Sequence, residues 1–150
     1  MKREKYLYEL EEEHLTIKNL FNGLEDVIEK GKAGEIKDLR GRLEKLKKAL
    51  VNHVHSEDEV FYKDLREKAV ETHQEALIPA LDFFIESMHK ITGDADRFFE
   101  EYRDEKRILE NNGKFAARLK NLRDEIIHRI DSEEGSLFYI YKAYFFDRGR

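Results

Sequence analysis

The chain has 150 residues, 41% of them charged and 40% hydrophobic, with a net charge of −5 and no cysteine. This length predicts a single domain over residues 1–150, and the missing cysteine excludes disulfides, iron–sulfur clusters and thiolate zinc sites. The negative net charge argues against nucleic-acid binding. No apolar run approaches the ~18 residues of a membrane span. The sequence also begins without a signal-peptide core, so we expect a cytoplasmic protein.

Apolar residues recur every three or four positions through most of the chain, as in amphipathic helices. Breaks are predicted at "GKAG" (31–34), near Thr72 and at "NNG" (111–113). Thr72 and Glu75 resemble a capping box opening the third helix, and Pro79 either kinks that helix or lies in its first turn. The core-facing positions are Leu7, Leu10, His14, Ile17, Phe21, Leu24, Ile28, Ile36, Leu39, Leu43, Leu46, Leu50, His53, Glu57, Val60, Ile78, Leu81, Ile85, Met88, Ala95, Phe99, Tyr102, Phe115, Leu119, Leu122, Ile126, Leu137 and Ile140. The prediction is an all-α, antiparallel up-down-up-down four-helix bundle.

The stretch "VNHVHSEDEVFY" (51–62) places polar residues inside the apolar stripe of the second helix. His53 and Glu57 continue that stripe and lie one turn apart on one face. His55 is roughly 200° around the helix from His53, so it should face solvent. Because a buried carboxylate is costly unless it is paired or bound to metal, His53 and Glu57 are candidate ligands.

Histidines and acids on the other helices lie at similar distances from the turns. At ~1.5 Å per residue, antiparallel folding brings them to roughly one level of the bundle. The expected layer consists of His14, His53, Glu57, His89, His128 and Glu133. These donors exceed a tetrahedral zinc site and lack the all-oxygen character that Ca²⁺ and Mg²⁺ prefer. Imidazole with carboxylate suits iron or manganese, and carboxylates can bridge two metals inside a bundle.

Four segments resemble the hemerythrin-like (HHE cation-binding) domains. "EEEHLTIKNLFNGL", "HVHSEDEVFY", "MHKITGDADRFF" and "HRIDSEEGSLFY" are similar to that family's four helical motifs and occur in the same order. The resemblance implies two iron ions per chain, joined by oxo and carboxylate bridges, with manganese or zinc as substitutes. It implies that the metal ligands are His14, His53, Glu57, His89, His128 and Glu133, of which Glu57 and Glu133 would bridge.

Two features depart from oxygen-carrying hemerythrins. Their third helix has a second histidine one turn from the first, whereas Ile85 and Gly93 flank His89 here. We therefore expect a further open position and rapid oxidation by O₂, with Glu86 as an alternative ligand.

The second departure concerns the last helix. His128 and Glu133 are five residues apart, about 140° around a regular helix. A π-bulge between them would bring both to one face, and Asp131 is the alternative ligand.

Three functions stay open. The first is a di-iron protein that binds or senses O₂, NO, peroxide or iron. The second is a di-iron enzyme acting on peroxide or NO, or donating iron for repair. The third is a metal-free helical interaction bundle. The aromatic run "LFYIYKAYFF" (137–146) also predicts a surface for a homodimer.

Overall fold

The computed structural model describes residues 2–30 and 36–143, and every regular element in these two ranges is helical. The α-helices are Lys2–Lys30 (α1), Ile36–Ser56 (α2), Tyr62–Glu71 (α3), Ile78–Glu101 (α4), Glu105–Glu110 (α5), Asn112–Glu133 (α6) and Tyr139–Tyr141 (α7). The predicted all-α class is therefore confirmed. The predicted break at "GKAG" lies outside the described residues. Within the described ranges, no helix combines the length and the apolar character needed to cross a membrane.

Two π-helical turns join some of these helices into longer continuous rods. Glu57–Phe61 connects α2 to α3, and Glu134–Phe138 connects α6 to α7. In the first turn, the backbone N–H of Tyr62 donates to the carbonyl of the residue five positions back, so this turn holds one residue more than an α-helical turn. The extra residue rotates the chain beyond it. Val60, predicted to face the core, is 44% exposed, and the two residues after it are buried instead.

The connections between helices differ from the prediction around Thr72. This residue ends α3, and its hydroxyl donates to the carbonyl of Lys68 over 2.7 Å, so the predicted capping box is wrong. A short 3₁₀ turn, Glu75–Leu77, leads into α4. Pro79 lies in the first turn of α4, one of the two predicted alternatives, where its missing N–H leaves no helical bond unmade.

The predicted boundary at "NNG" is the start of α6. The side chain of Asn111 accepts a hydrogen bond from the backbone N–H of Lys114 at 3.0 Å, which caps the helix. The preceding long helix, α4, already ends at Glu101, and the short α5 lies between them.

Within residues 2–30 and 36–143, the long helices group into four rods, which are α1, α2 with α3, α4, and α6 with α7, and the short α5 lies between α4 and α6. α1 packs against α2 and α6, while α4 packs against α3 and α6. Each rod therefore contacts two others, which accounts for the single apolar stripe on each. The antiparallel direction of the rods in an up-down-up-down bundle stays a prediction.

The buried apolar residues fall into two clusters. The large apolar cluster comprises Ile17, Phe21, Leu24, Leu39, Leu43, Leu46, Leu50, Ala95, Phe98, Phe99, Tyr102, Ile108, Phe115, Leu119, Leu122, Ile126 and Ile130. The small apolar cluster comprises Leu7, Leu10, Phe61, Tyr62, Leu65, Leu81, Leu137, Phe138 and Tyr141. Along each rod, residues of one cluster give way to residues of the other at one point, and on three rods a buried polar residue lies at that point.

Candidate metal centre

Four polar side chains lie between the two apolar clusters. His14 is near the middle of α1, His53 is near the end of α2, Glu57 begins the first π turn and Glu133 ends α6. Each is at most 1% exposed. One donor atom from each lies within 4.8 Å of those of the other three. We call these four residues the buried donor group.

The inward-facing atoms of the buried donor group lack the hydrogen bonds that buried polar atoms normally make. His53 Nε2 lies against Glu57 Oε1, and His14 Nε2 lies 3.5 Å from Glu133 Oε1. None of these four atoms has a hydrogen-bond partner among the described residues, and leaving one buried polar atom unpaired costs about 1–3 kcal/mol. A cation placed among them would accept a lone pair from each. Two imidazoles and two carboxylates therefore fit iron, manganese or zinc.

Each histidine is held from behind by a carboxylate on a neighbouring rod. His53 Nδ1 lies 2.7 Å from Glu13 Oε1, and His14 Nδ1 lies 2.7 Å from Glu134 Oε2. An ionised carboxylate can only accept a hydrogen bond, so Nδ1 carries the hydrogen and a neutral ring keeps its Nε2 lone pair directed inward. Such outer carboxylates fix the tautomer and the ring orientation of histidines that bind metal.

A phenol and a guanidinium cover the other side of the two glutamates. The hydroxyl of Tyr62 lies 2.9 Å from Glu57 Oε2 and 2.5 Å from Glu133 Oε2. The π turn makes this contact possible, because residues five apart would point about 140° away from each other in a regular α-helix. Arg129 Nη2 donates to the Tyr62 hydroxyl over 3.3 Å and to the backbone carbonyl of Phe84 over 2.5 Å.

Burial and charge act in opposite directions on the two histidines. Burial lowers the pKa of His53, but the adjacent carboxylates of Glu13 and Glu57 outweigh it and raise the pKa to about 10. The pKa of His14 is also raised, since its contacts with Glu133 and Glu134 outweigh burial. Without a cation, the His53 ring therefore holds a second proton at neutral pH. A metal ion would replace that proton, because a ligating imidazole must be neutral.

The two carboxylates titrate as a pair. Burial and the charge of Glu133 raise the pKa of Glu57 to about 7. Burial also acts to raise the pKa of Glu133, but its contacts with Glu57, His14 and Tyr62 prevail and lower it to about 2. Burial, reinforced by both carboxylates, raises the pKa of Tyr62 as well, so its hydroxyl remains a donor. Adjacent buried carboxylates repel one another when both are ionised, and a cation would relieve that repulsion.

The donor set could hold a metal ion, and a comparison with protein families agrees. A family model for the hemerythrin HHE cation binding domain matches residues 6–141. The chain belongs to this family. The match includes the whole buried donor group, so the resemblance found in the four sequence motifs is confirmed. No curated protein and no solved structure gives a significant match.

The structure of this hemerythrin-like chain gathers four of the six predicted ligands and leaves two outside. The side chains of His89 on α4 and His128 on α6 are exposed, so the expected common layer of six does not form. On α6 the reason is register. Arg129 and Glu133 face the core, the helix is regular between them, and the expected π turn begins only at Glu134. That the other four residues bind metal remains a prediction.

The two alternative ligands also lie outside the buried donor group. Glu86 is exposed on α4. The side chain of Asp131 is 59% exposed and pairs with Lys18 at 2.9 Å. Like the predicted orientation of His55, which is exposed, these placements follow from the helical period.

Four residues around the hemerythrin-like site were missed by sequence reasoning. Glu13 and Glu134 look like members of solvated acidic runs, although each is adjacent in sequence to a predicted ligand. The signal for Arg129 was present, since it occupies a core-facing position of the last helix. The role of Tyr62 depends on the π turn, which the apolar period does not reveal.

Proposed function

We propose that this hemerythrin-like chain binds a redox-active cation at His14, His53, Glu57 and Glu133 and takes up or senses a small ligand such as O₂ or NO there. Iron is the proposed metal and manganese is the alternative. The observation that carries the proposal is the set of four buried, converging donor atoms without hydrogen-bond partners among the described residues. A bound iron ion would supply a centre that exchanges electrons with a small ligand.

The residues around the site keep bulk water away from it. The ring of His14 stacks on Phe138, with centroids 5.3 Å apart, and Phe138 packs against Phe61 at 4.9 Å. Both phenylalanines are at most 1% exposed. Aromatic rings on one side and carboxylates behind the imidazoles thus hold His14 in place and strengthen electrostatic interactions within the site.

An apolar cleft between α2 and α4 supports a small uncharged ligand. Most of its lining is apolar and includes Val54, the residue next to His53, together with Leu50, Met88, Ile91 and Ile126, while Lys47, Thr92 and Asp96 also line it. Apolar cavities in proteins hold apolar guests such as xenon and stay free of water. This lining favours O₂ or NO over a charged substrate.

The metal-free interaction bundle is the less favoured alternative. In a metal-free bundle, Nε2 of His53 and Nε2 of His14 could pair with the facing glutamate oxygens only through a second proton on each ring, which would place charged imidazoles in the core. Native cores avoid buried charges because removing an ion from water is expensive. Metal binding explains all four together.

Metal content is the direct test. We expect protein purified from iron-supplemented cells to contain iron by elemental analysis, and the metal-free protein to take up Fe²⁺ under anaerobic conditions. Protein that holds neither iron nor manganese and takes up no Fe²⁺ would contradict the proposal.

Reaction with air separates a carrier from a sensor or an enzyme. We expect stopped-flow absorbance to show rapid and irreversible oxidation of the reduced, iron-loaded protein, because α4 contributes no histidine to the buried donor group. A long-lived oxygenated spectrum that reverses under vacuum would indicate a carrier instead. Turnover of peroxide or NO would favour the di-iron enzyme alternative.

The predicted homodimer stays a proposal. Leu137, Phe138 and Tyr141 of the aromatic run belong to the core, while Tyr139 is 66% exposed. Residues 144–146 lie outside the described part of the chain.

A further inference from the structure

The two oxygens of each buried glutamate meet different surroundings. Oε1 of Glu57 and Oε1 of Glu133 face the histidines and have no hydrogen-bond partner within the described residues. Both Oε2 atoms are within hydrogen-bond distance of the Tyr62 hydroxyl, at 2.9 Å and 2.5 Å. Each carboxylate therefore presents one free oxygen, on the side of the imidazoles.

The different surroundings of the Oε1 and Oε2 atoms limit the number of metal ions that the site can bind. A carboxylate that bridges two metal ions gives one oxygen to each of them, as in the di-metal centres of helical bundles. Here the oxygens that a second ion would require are covered by a phenol whose hydrogen they share. The four free atoms, His14 Nε2, His53 Nε2 and the two Oε1 atoms, suffice for one ion.

Arg129 occupies the same side as the covered oxygens. Its Nη2 atom lies 3.6 Å from Glu133 Oε2 and hydrogen-bonds both the Tyr62 hydroxyl and the Phe84 carbonyl. Its guanidinium lies over the ring of Phe84, 4.2 Å from the centroid. The side chain, 5% exposed, thus fills the space between α6 and α4 where ligands from those two helices were expected.

Arg129 places a fixed positive charge beside the covered oxygen of Glu133. A guanidinium cannot lose its proton in a protein, and a buried positive charge needs negative charge close by. Among the ion pairs of the described residues, the partner of Arg129 is Glu133, a member of the buried donor group. A second divalent ion beside Arg129 would lie next to a like charge that cannot be neutralised, and the two would repel one another in a buried site.

We infer that the centre holds a single metal ion per chain, with Tyr62 and Arg129 in the position of a second one. This inference rests on the proposed cation binding and differs from the two iron ions that the family resemblance implies. It assigns Arg129 as a built-in cation that offsets the charge of one of the two buried carboxylates, Glu133. Four ligands of this type also suit Zn²⁺, so zinc serves as a redox-inactive probe.

The test is the stoichiometry of the metal-free wild-type protein. Anaerobic titration with Fe²⁺, and separately with Zn²⁺, should reach saturation at one equivalent per chain by calorimetry and by equilibrium dialysis. After oxidation in air, the iron-loaded protein should give the electron paramagnetic resonance signal of an isolated ferric ion, integrating to one spin per iron. Two equivalents, or a spin-coupled pair without that signal, would overturn the inference while leaving the proposed function intact. No uptake of either metal would overturn both.

Two double variants test separately whether the exposed histidines hold metal and whether Tyr62 and Arg129 limit the number of bound ions. His89→Ala/His128→Ala should still bind one equivalent with unchanged affinity. A variant that binds fewer equivalents than the wild type would show that these two histidines hold metal. In Tyr62→Phe/Arg129→Gln, both Oε2 atoms lose their partners, and we expect a second, weaker equivalent. Circular dichroism verifies that this variant is folded. Retention of one equivalent by the folded variant would show that Tyr62 and Arg129 do not limit the count.

Arg129→Lys gives a second measurement that does not depend on the double variant. It keeps a positive charge beside Glu133, so we expect it to retain one equivalent. A second equivalent in Arg129→Lys would contradict the role of the built-in charge.

Discussion

Glu13 on α1 and His53 on α2 meet across the boundary between two rods, with 2.7 Å between Oε1 and Nδ1. The histidine side chain is 1% exposed, whereas that of the glutamate is 36% exposed. One residue thus belongs to the interior and the other to the surface. The interior site is consequently oriented by a charge that bulk solvent can reach.

Replacement of that outer carboxylate should weaken metal binding without removing a ligand. We expect Glu13→Gln to lower the affinity for Fe²⁺ by roughly 10–100-fold, the usual cost of losing the partner of a ligating histidine. Anaerobic calorimetry measures the affinity. Glu12→Gln, one residue away and exposed, is the matched control and should bind like the wild type. Equal affinities in the two variants would rule out an orienting role for Glu13.

The two histidines of the second rod should differ sharply in their effect on metal content. His53→Ala removes a buried donor and should abolish stoichiometric binding, whereas His55→Ala, two residues away and exposed, should leave it unchanged. Elemental analysis of both purified variants checks this expectation. Equal loss of metal in the two variants would contradict the proposal that His53, and not His55, is a ligand.

The π turn before α7 makes a prediction about stability. Phe138 is 1% exposed and its neighbour Tyr139 is 66% exposed. Phe138→Ala should lower the free energy of unfolding by about 3–5 kcal/mol, because it removes a buried aromatic ring. Tyr139→Ala should change it by no more than about 0.5 kcal/mol. Chemical denaturation of the metal-free proteins gives both values, and a reversed order would mean that the helix is rotated here.

The metal-free protein should become less stable as the pH rises. The pKa of His53 is raised from 6.5 to about 10 and that of Glu57 from 4.5 to about 7. A group with a higher pKa in the folded state contributes stability below its unfolded pKa and loses that contribution as the pH passes through the folded value. For His53 the loss runs from pH 6.5 to about 10, and for Glu57 from 4.5 to about 7.

The opposite shift of Glu133 does not interfere in this window. Its pKa is lowered from 4.5 to about 2, so its contribution is complete above pH 4.5 and is lost only in stronger acid. We therefore expect the Tm of the metal-free protein to fall between about pH 6 and about pH 10. The metal-loaded protein should show a weaker or opposite trend, because metal binding requires neutral histidines. A metal-free Tm that rises over this range would contradict the shifts.

Helical periodicity was sufficient to predict the helical class and the core positions of His14, His53, Glu57 and Glu133. Each of these residues interrupts an apolar stripe of regular period. The helical period alone did not predict the orientation of Tyr62 or His128. That orientation depends on where a π turn inserts its extra residue, and tertiary packing decides that position. His89 lies one place beyond buried Met88, a difference too small for apolar spacing alone to resolve.

The polar layer between the two apolar clusters has a consequence for the way the molecule unfolds. All four rods contain residues of both clusters, and on three of them the buried donor group lies where one cluster gives way to the other. In the metal-free chain no ion joins the donor atoms at this crossing point, so we expect the two halves to open as separate cooperative units. We expect amide hydrogen exchange to be faster in α3 and α7, beside the small cluster, than in the middle of α6. A cation held by α1, α2, the first π turn and α6 would connect the halves, and the chain would then open in one step instead of two.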